Sequence, residues 1–198
     1  MESSAIPKQL LGPLTESLDN FLKEVKVMTP KQIELASKLE KAFALYGFAE
    51  PNVAKLKDYT GTTLKTLYKY FPSKEDMIIG ALNYRHSRYI SFLEEHCPSS
   101  RKEALHHIFE RLALWLSSFA PRGCMSLQAL ASYPDNQQIE AAVNEHKQAV
   151  WSWLNEKLQD EVLSNSVFLL HEGMSSAWPT LGDKALTAAQ STLNTLLD

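Results

Sequence analysis

Glycine, β-branched residues and cysteine are all scarce in this chain, and each shortage narrows what it can be. Seven glycines in 198 residues is about half of ordinary usage, which disfavours a fold rich in tight turns. Valine and isoleucine occur seven times each, against 29 leucines and 19 alanines. Straight-chain helix formers therefore greatly outnumber strand formers, and the expected class is all-α. The two cysteines, Cys97 and Cys124, show neither C-x-x-C nor paired Cys/His spacing, so a disulfide framework or a zinc site is not expected. The longest apolar run is five residues, Leu112 to Leu116, where a membrane-spanning helix needs roughly 20. The start, Met1-Glu2-Ser3-Ser4, lacks the basic-then-apolar pattern of a secretory signal. A cytoplasmic protein without membrane contact is expected.

What is present begins with charge. The net charge of −3 is small and 44% of residues are hydrophobic, values that exclude global disorder. The charge is unevenly spread: residues 51–89 carry seven Lys/Arg against three Asp/Glu, and residues 90–198 carry seven against thirteen. One short basic segment suits a polyanion, while the acidic remainder does not.

Start and stop signals divide the chain into helices. Thr29-Pro30-Lys31-Gln32 is a capping box with proline at the first helical position, and apolar residues then recur at helical spacing to Tyr46, before Gly47. A helix over 30–46 follows. Asn52 caps a short helix over 52–59 with Val53 and Leu56 inward, and Thr62 or Thr63 caps another over 63–70 that buries Leu67 and Phe71. Ser73, followed by Glu75 and Asp76, starts a long helix running to about Cys97. Further helices are expected over about 101–119, 123–132, 136–160, 162–178 and 183–197, punctuated by Pro/Gly turns. Leu14, Leu18, Phe21, Leu22 and Val25 have helical spacing, so residues 1–28 read as an N-terminal arm or an extra helix.

Two short helices around Thr60-Gly61-Thr62, after a longer capped helix, form a helix-turn-helix pattern whose second short helix enters the major groove. Its outward residues are Thr63, Leu64, Lys65, Thr66, Tyr68 and Lys69. Hydroxyls and amines of this kind bond phosphate oxygens and base edges, and a leucine can touch a thymine methyl.

The run Tyr46-Gly47-Phe48, then Thr66-Leu67-Tyr68-Lys69-Tyr70-Phe71-Pro72-Ser73-Lys74-Glu75-Asp76-Met77, resembles the DNA-binding domain of TetR-family transcriptional regulators over about residues 30–85. The resemblance implies a homodimer with a three-helix DNA-binding domain at 29–85 and a larger helical ligand-binding and dimerisation domain at 86–198. It places Thr63, Lys65, Thr66 and Tyr68 at DNA, and Tyr70 and Lys74 on backbone phosphate. The chain departs from the family pattern at Lys57, where alanine is usual, at Gly61-Thr62-Thr63 in place of Gly-Val-Ser, and at Leu64 and Lys65. The operator sequence is not legible through those changes.

Beyond residue 98 the signals are fewer. Arg122-Gly123-Cys124-Met125 and His171-Glu172-Gly173-Met174 resemble the family's C-terminal turn and dimerisation helix. The stripes Leu163, Val167, Leu170, Met174, Trp178 and Leu186, Ala189, Leu193, Leu196 are expected to pair across a two-fold axis. Trp115, Phe119, Cys124, Met125, Gln128, Trp151, Leu154 and Phe168 are the expected ligand contacts, and they suit an apolar or aromatic effector. Glu103-x-x-His106 has the spacing of half a di-iron site but no second copy, and the sequence holds neither H-E-x-x-H nor a G-x-S-x-G elbow. No enzyme activity and no cofactor are expected. The leading reading is a repressor that binds a palindromic operator as a dimer and is released by an effector; the alternative is a helical protein-interaction module whose helix-turn-helix no longer binds DNA specifically.

Overall fold

The computed structural model describes residues 28–197, and among these the chain forms nine helices and no strand. They are α1 (Pro30–Tyr46), α2 (Val53–Thr60), α3 (Leu64–Tyr70), α4 (Lys74–Glu94), α5 (Arg101–Phe119), α6 (Met125–Ser132), α7 (Gln137–Leu158), α8 (Glu161–Leu181) and α9 (Asp183–Leu197). The expected arm or helix at residues 1–28 lies, except for Met28, outside the described residues.

The local signals act as their chemistry predicts. The Thr29 hydroxyl accepts from the Gln32 amide at 3.3 Å and the Gln32 side chain accepts from the Thr29 N–H at 2.9 Å, closing a capping box. Ser73 and Asp76 repeat that exchange at the start of α4. Asn52 and Thr63 cap α2 and α3 through single bonds to Lys55 and Thr66. Helix α7 ends at Leu158 rather than at 160, where Gln159 takes a left-handed φ of 51°, and three further boundaries differ from expectation. Helix α4 stops at Glu94 rather than near Cys97, because His96 takes a left-handed φ of 60°. Helix α6 starts two residues later than position 123, since Gly123 sits at φ 85°. Helix α8 does not end at Trp178 but passes through Pro179 to Leu181. Proline withholds the donor that the Ser175 carbonyl would otherwise receive, and Gly123 packs there: a Cβ on it would lie 3.2 Å from that carbonyl and from the Pro179 ring.

The helices bury two apolar clusters. One joins α1–α4 around Leu35, Leu39, Phe43, Leu56, Leu67 and Met77, and it also takes in Met125, Ala129, Ile139 and Val143 from α6 and α7. The other joins the rest of α4 to α5, α7, α8 and α9 around Leu105, Phe109, Leu112, Trp153 and Leu154. Helix α4 belongs to both: Met77, Ile78, Ala81 and Leu82 serve the first, Leu93 the second.

The stripes assigned to a dimer contact need correction. Val167, Met174 and Trp178 on α8, with Ala189 and Leu193 on α9, lie in the protein's own core. Leu163, Leu170 and Leu186 pack against that core, and Leu196 alone of the nine is exposed. Helical periodicity marks a buried face without saying what buries it. The outward side of α8 instead presents Val162 and Leu169, 78% and 71% exposed.

Gly80 is where α4 meets the end of α3, since a Cβ there would overlap the buried ring of Phe71. Overpacking of that kind costs about 1–3 kcal/mol, more than the ~1 kcal/mol that alanine gains over glycine inside a helix. Gly80→Ala is therefore expected to lower stability, read as an earlier urea midpoint with an unchanged slope.

Candidate nucleic-acid interface and interior cavity

Helix α3 is held from below and open above. Leu67 and Phe71 anchor it, at 0% and 4% exposure. The turn before it is fixed by Gly61 at φ 65°, by the Thr60 hydroxyl donating to the Leu56 carbonyl at 2.8 Å, and by the Lys38 ammonium donating to the Thr60 carbonyl at 3.1 Å. The structure brings the sequence-predicted residues onto one outward surface: Thr63, Leu64, Lys65, Tyr68 and Lys69 are exposed, while Thr66 and Tyr70 are half-buried. Leu64 and Tyr68 leave 42% and 45% of their surface in solvent. An apolar side chain and a phenol standing in water on a seven-residue helix offer contact surface rather than core. The Lys69 ammonium lies 5.3 Å from the Tyr70 ring. Lys74, at the first position of α4, donates to the Ala49 carbonyl at 3.1 Å and lies over Tyr133, which ties the start of α4 to the loop before α2.

An ion cluster joins this unit to the remainder. Glu40 on α1 is 5% exposed, and it accepts from Arg85 at 2.7 Å and Arg88 at 2.8 Å, both on α4. Arg85 also donates to the Phe119 carbonyl at the end of α5 and stacks over Trp115.

Below Arg85 lies a cavity of about 70 Å³. Of the eight predicted ligand contacts, Trp115, Cys124 and Met125 line it. Phe119 and Gln128 face a neighbouring groove, Trp151 and Phe168 line an open cleft between α7 and α8, and Leu154 is buried in the core. The cavity wall is more polar than an apolar ligand would suggest, because His86, Tyr89, His146, Lys147, His171, Glu172 and Ser175 also form it. Sequence reasoning assigned none of these residues to a ligand site, and placed His171 and Glu172 in a dimerisation helix instead. The available signal was polar groups on helix faces otherwise apolar, at 85/86/89, 146/147 and 171/172/175.

These groups are wired together. The Tyr89 hydroxyl bonds His171 Nε2, and His171 Nδ1–H donates to Glu172 at 3.1 Å. Lys147 bonds the other Glu172 oxygen and reaches Cys124 Sγ at 3.5 Å. Burial and the negative charge of neighbouring groups hold the Tyr89 hydroxyl above its ordinary range. It therefore stays protonated and is the donor to His171. Burial alone would raise Glu172, but the His171 hydrogen bond and the Lys147 ammonium outweigh it and hold the carboxyl at about 2. On the opposite wall His86 and His146 stack with ring centroids 4.5 Å apart, and His146 Nε2 donates to Asn83 at 2.8 Å. Burial, helped by Lys147, pushes His86 down to about 3 and moves His146 in the same direction. Among the described residues no cluster of His, Cys, Asp or Glu is placed to hold a metal, and no helix is long and apolar enough to cross a membrane.

A small unit presenting an exposed second helix, on a larger helical bundle with an interior cavity, defines the class: an all-α helix-turn-helix protein with a helical second domain. The sequence matches no protein-family model and no curated protein. Solved structures do match. A TetR-family transcriptional regulator from Streptomyces coelicolor aligns with a TM-score of 0.74 at 19% identity, over 84% of this chain and 94% of that one. Escherichia coli NemR in its reduced form aligns at 0.73 and 16% identity, over 85% and 98%. The fatty acid degradation regulator FadR from Bacillus halodurans aligns at 0.68 and 16%, over 86% and 96%. The chain has the fold of the TetR-family regulators.

The cavity makes stability depend on pH with a definite sign. An unfolded histidine takes a proton below about 6.5, whereas His86 in the folded protein resists until about 3. The unfolded state thus binds more protons in that window, and stability falls as pH drops through it. Glu172 adds a loss between its ordinary 4.5 and about 2. The melting temperature is expected to be highest above pH 6.5 and to decline on acidification. His86→Phe, which keeps a ring on His146, should flatten the curve between pH 6.5 and 4.5; an unchanged curve there would remove His86 as its cause.

Proposed function

We propose that this protein is a dimeric, effector-responsive DNA-binding regulator acting as a repressor. The observation that carries the reading is the outward surface of α3, where Thr63, Leu64, Lys65, Tyr68 and Lys69 stand in solvent on a helix anchored by Leu67 and Phe71. In this reading Lys65, Thr66 and Tyr68 meet base edges, Tyr70 and Lys74 hold phosphate, and residues 29–85 form the DNA-binding unit. Two of the structural neighbours given above, the Streptomyces coelicolor protein and FadR, are named as regulators, which supports the same assignment.

The dimer contact is assigned to the outward side of α8 and α9. Val162, Leu169 and Gly173 lie there with Ala188, Ser191, Thr192 and Thr195. Gly173 is exposed mid-helix with nothing within 4 Å of an added Cβ, a position that costs helix stability and suits close approach of a second copy. Two copies would set their α3 helices roughly 34–36 Å apart, one turn of DNA.

The effector site is the interior cavity. At about 70 Å³ it holds only a few waters, against the ~300 Å³ or more of typical small-molecule sites. Effector binding therefore requires α4 to move relative to α7 and α8. Arg85 faces that cavity and bonds Glu40 of the DNA-binding unit, so displacement of one is felt by the other. An effector shifts the equilibrium only by its differential affinity for the two arrangements.

Selection of fragmented genomic DNA by the purified protein is expected to enrich a palindrome, with binding that weakens steeply as salt rises. Lys65→Ala/Tyr68→Ala protein should lose the enrichment; no enrichment by the native protein even at low salt would instead favour the interaction module. Leu169→Lys, at a surface position, is expected to leave folding intact and convert dimer to monomer in sedimentation, with weaker operator binding in parallel.

A further inference from the structure

Next to the interior cavity, across a partition that includes Arg85, Ala120 and Met125, lies an open groove of about 370 Å³ between α1, α4 and the α5–α6 loop. It lies within the range of small-molecule sites. Its charge is one-sided: Lys41, Arg85, Arg88 and Arg122 line it against the single carboxylate of Glu40. Arg85 and Arg88 are engaged with Glu40. Lys41 and Arg122 are exposed and make no ion pair among the described residues, and Arg122 is turned across the groove to donate to the Leu45 carbonyl at 3.2 Å. In a protein of net charge −3, two unneutralised cations beside a cleft concentrate anions there.

The remaining wall is apolar. Leu45 is 51% exposed and Phe119 is 39% exposed, and Pro121 adjoins them. Phe119 is no loose side chain: its ring packs on Trp115 and Phe92, and the Arg88 guanidinium lies 5.4 Å from it. A fixed aromatic face and a leucine left in water, beside two cations that make no ion pair among the described residues, form a surface with two chemistries.

We infer that this groove is a binding site for a small amphipathic anion, a carboxylate or sulfonate carrying an apolar chain or ring, separate from the interior cavity. The anionic head lies between Lys41 and Arg122, and the apolar part lies on Phe119 and Leu45. DNA is not the occupant that the position favours. Arg85 and Arg88 stand eleven and fourteen residues along α4 from Lys74, roughly 16–21 Å at the helical rise, away from the end assigned to phosphate. Glu40 at the back of the groove also opposes a polyanion while leaving room for a single charge between the outer cations.

The test uses the full chain and octanoate as probe, followed by calorimetry and by displacement of the fluorescent sulfonate 1-anilinonaphthalene-8-sulfonate. Octanoate should bind and displace the dye, weaken as salt rises, and outcompete the neutral octanamide by about tenfold. Lys41→Ala/Arg122→Ala and, separately, Leu45→Glu alter exposed side chains and should each weaken octanoate by about tenfold without changing the melting temperature. Ser175→Val, which fills part of the interior cavity instead, should leave octanoate binding as it was. Three results would overturn the inference: no octanoate binding, equal binding of octanamide, or binding lost in Ser175→Val and retained in both groove variants. If the double variant loses DNA affinity while octanoate fails to bind the native protein, the groove is a nucleic-acid surface and the inference is equally overturned. The octanoate and octanamide outcomes do not depend on operator recognition, so the proposed regulator can fail while the groove stands.

Discussion

The arrangement of the molecule depends on one buried carboxylate. Glu40 has almost no contact with solvent, and an unpaired charge in that position would be expelled or neutralised. Two guanidinium groups from α4 answer it, and one of them is shared with the last carbonyl of α5. Apolar contacts between α1 and α4 allow some latitude in how the helices slide and turn, whereas a carboxylate needing both of its oxygens met does not. The ion cluster therefore specifies the seating of the N-terminal unit more sharply than it stabilises it, since desolvation consumes much of the energy that the pairing returns.

Around that joint the polar interior is divided by purpose. On one side lie the chain from Tyr89 through His171 and Glu172 to Lys147, and two histidines kept neutral by burial. On the other lies an open groove whose outer cations, Lys41 and Arg122, make no ion pair among the described residues. Arg85 faces both spaces. Polar networks of this density are costly to leave half-satisfied, and among the described residues no buried side-chain polar atom lacks a partner.

Local chemistry made most of the fold legible in advance. Thr29, Asn52 and Ser73 cap the helices they were expected to cap, and of the two candidates Thr62 and Thr63 the second caps α3, because a capping bond spans only three residues and needs no tertiary context. Pro179 misled for the opposite reason: its lost bond is tolerated where Gly123 packs against the turn. The stripes of α8 and α9 misled because 3.6-residue periodicity reports burial and not the identity of the partner. The cavity was only partly visible. Of the residues expected at a ligand, Trp115, Cys124 and Met125 line the cavity, while His86, His146 and Lys147 stand out in sequence only as polar positions on apolar faces. Only the packing of α4, α7 and α8 turns them toward one another.

Gly80 has a mechanical meaning beyond its contribution to stability. Its bare backbone lies against the ring of Phe71, the residue that closes α3. No side chain can stand at that point without displacing the ring, so the close approach of α4 to the end of α3 is specific to glycine. The contact lies between Lys74, which opens α4, and Arg85, His86 and Tyr89, which face the cavity, so the two working ends of one helix are referred to a single close-packed point.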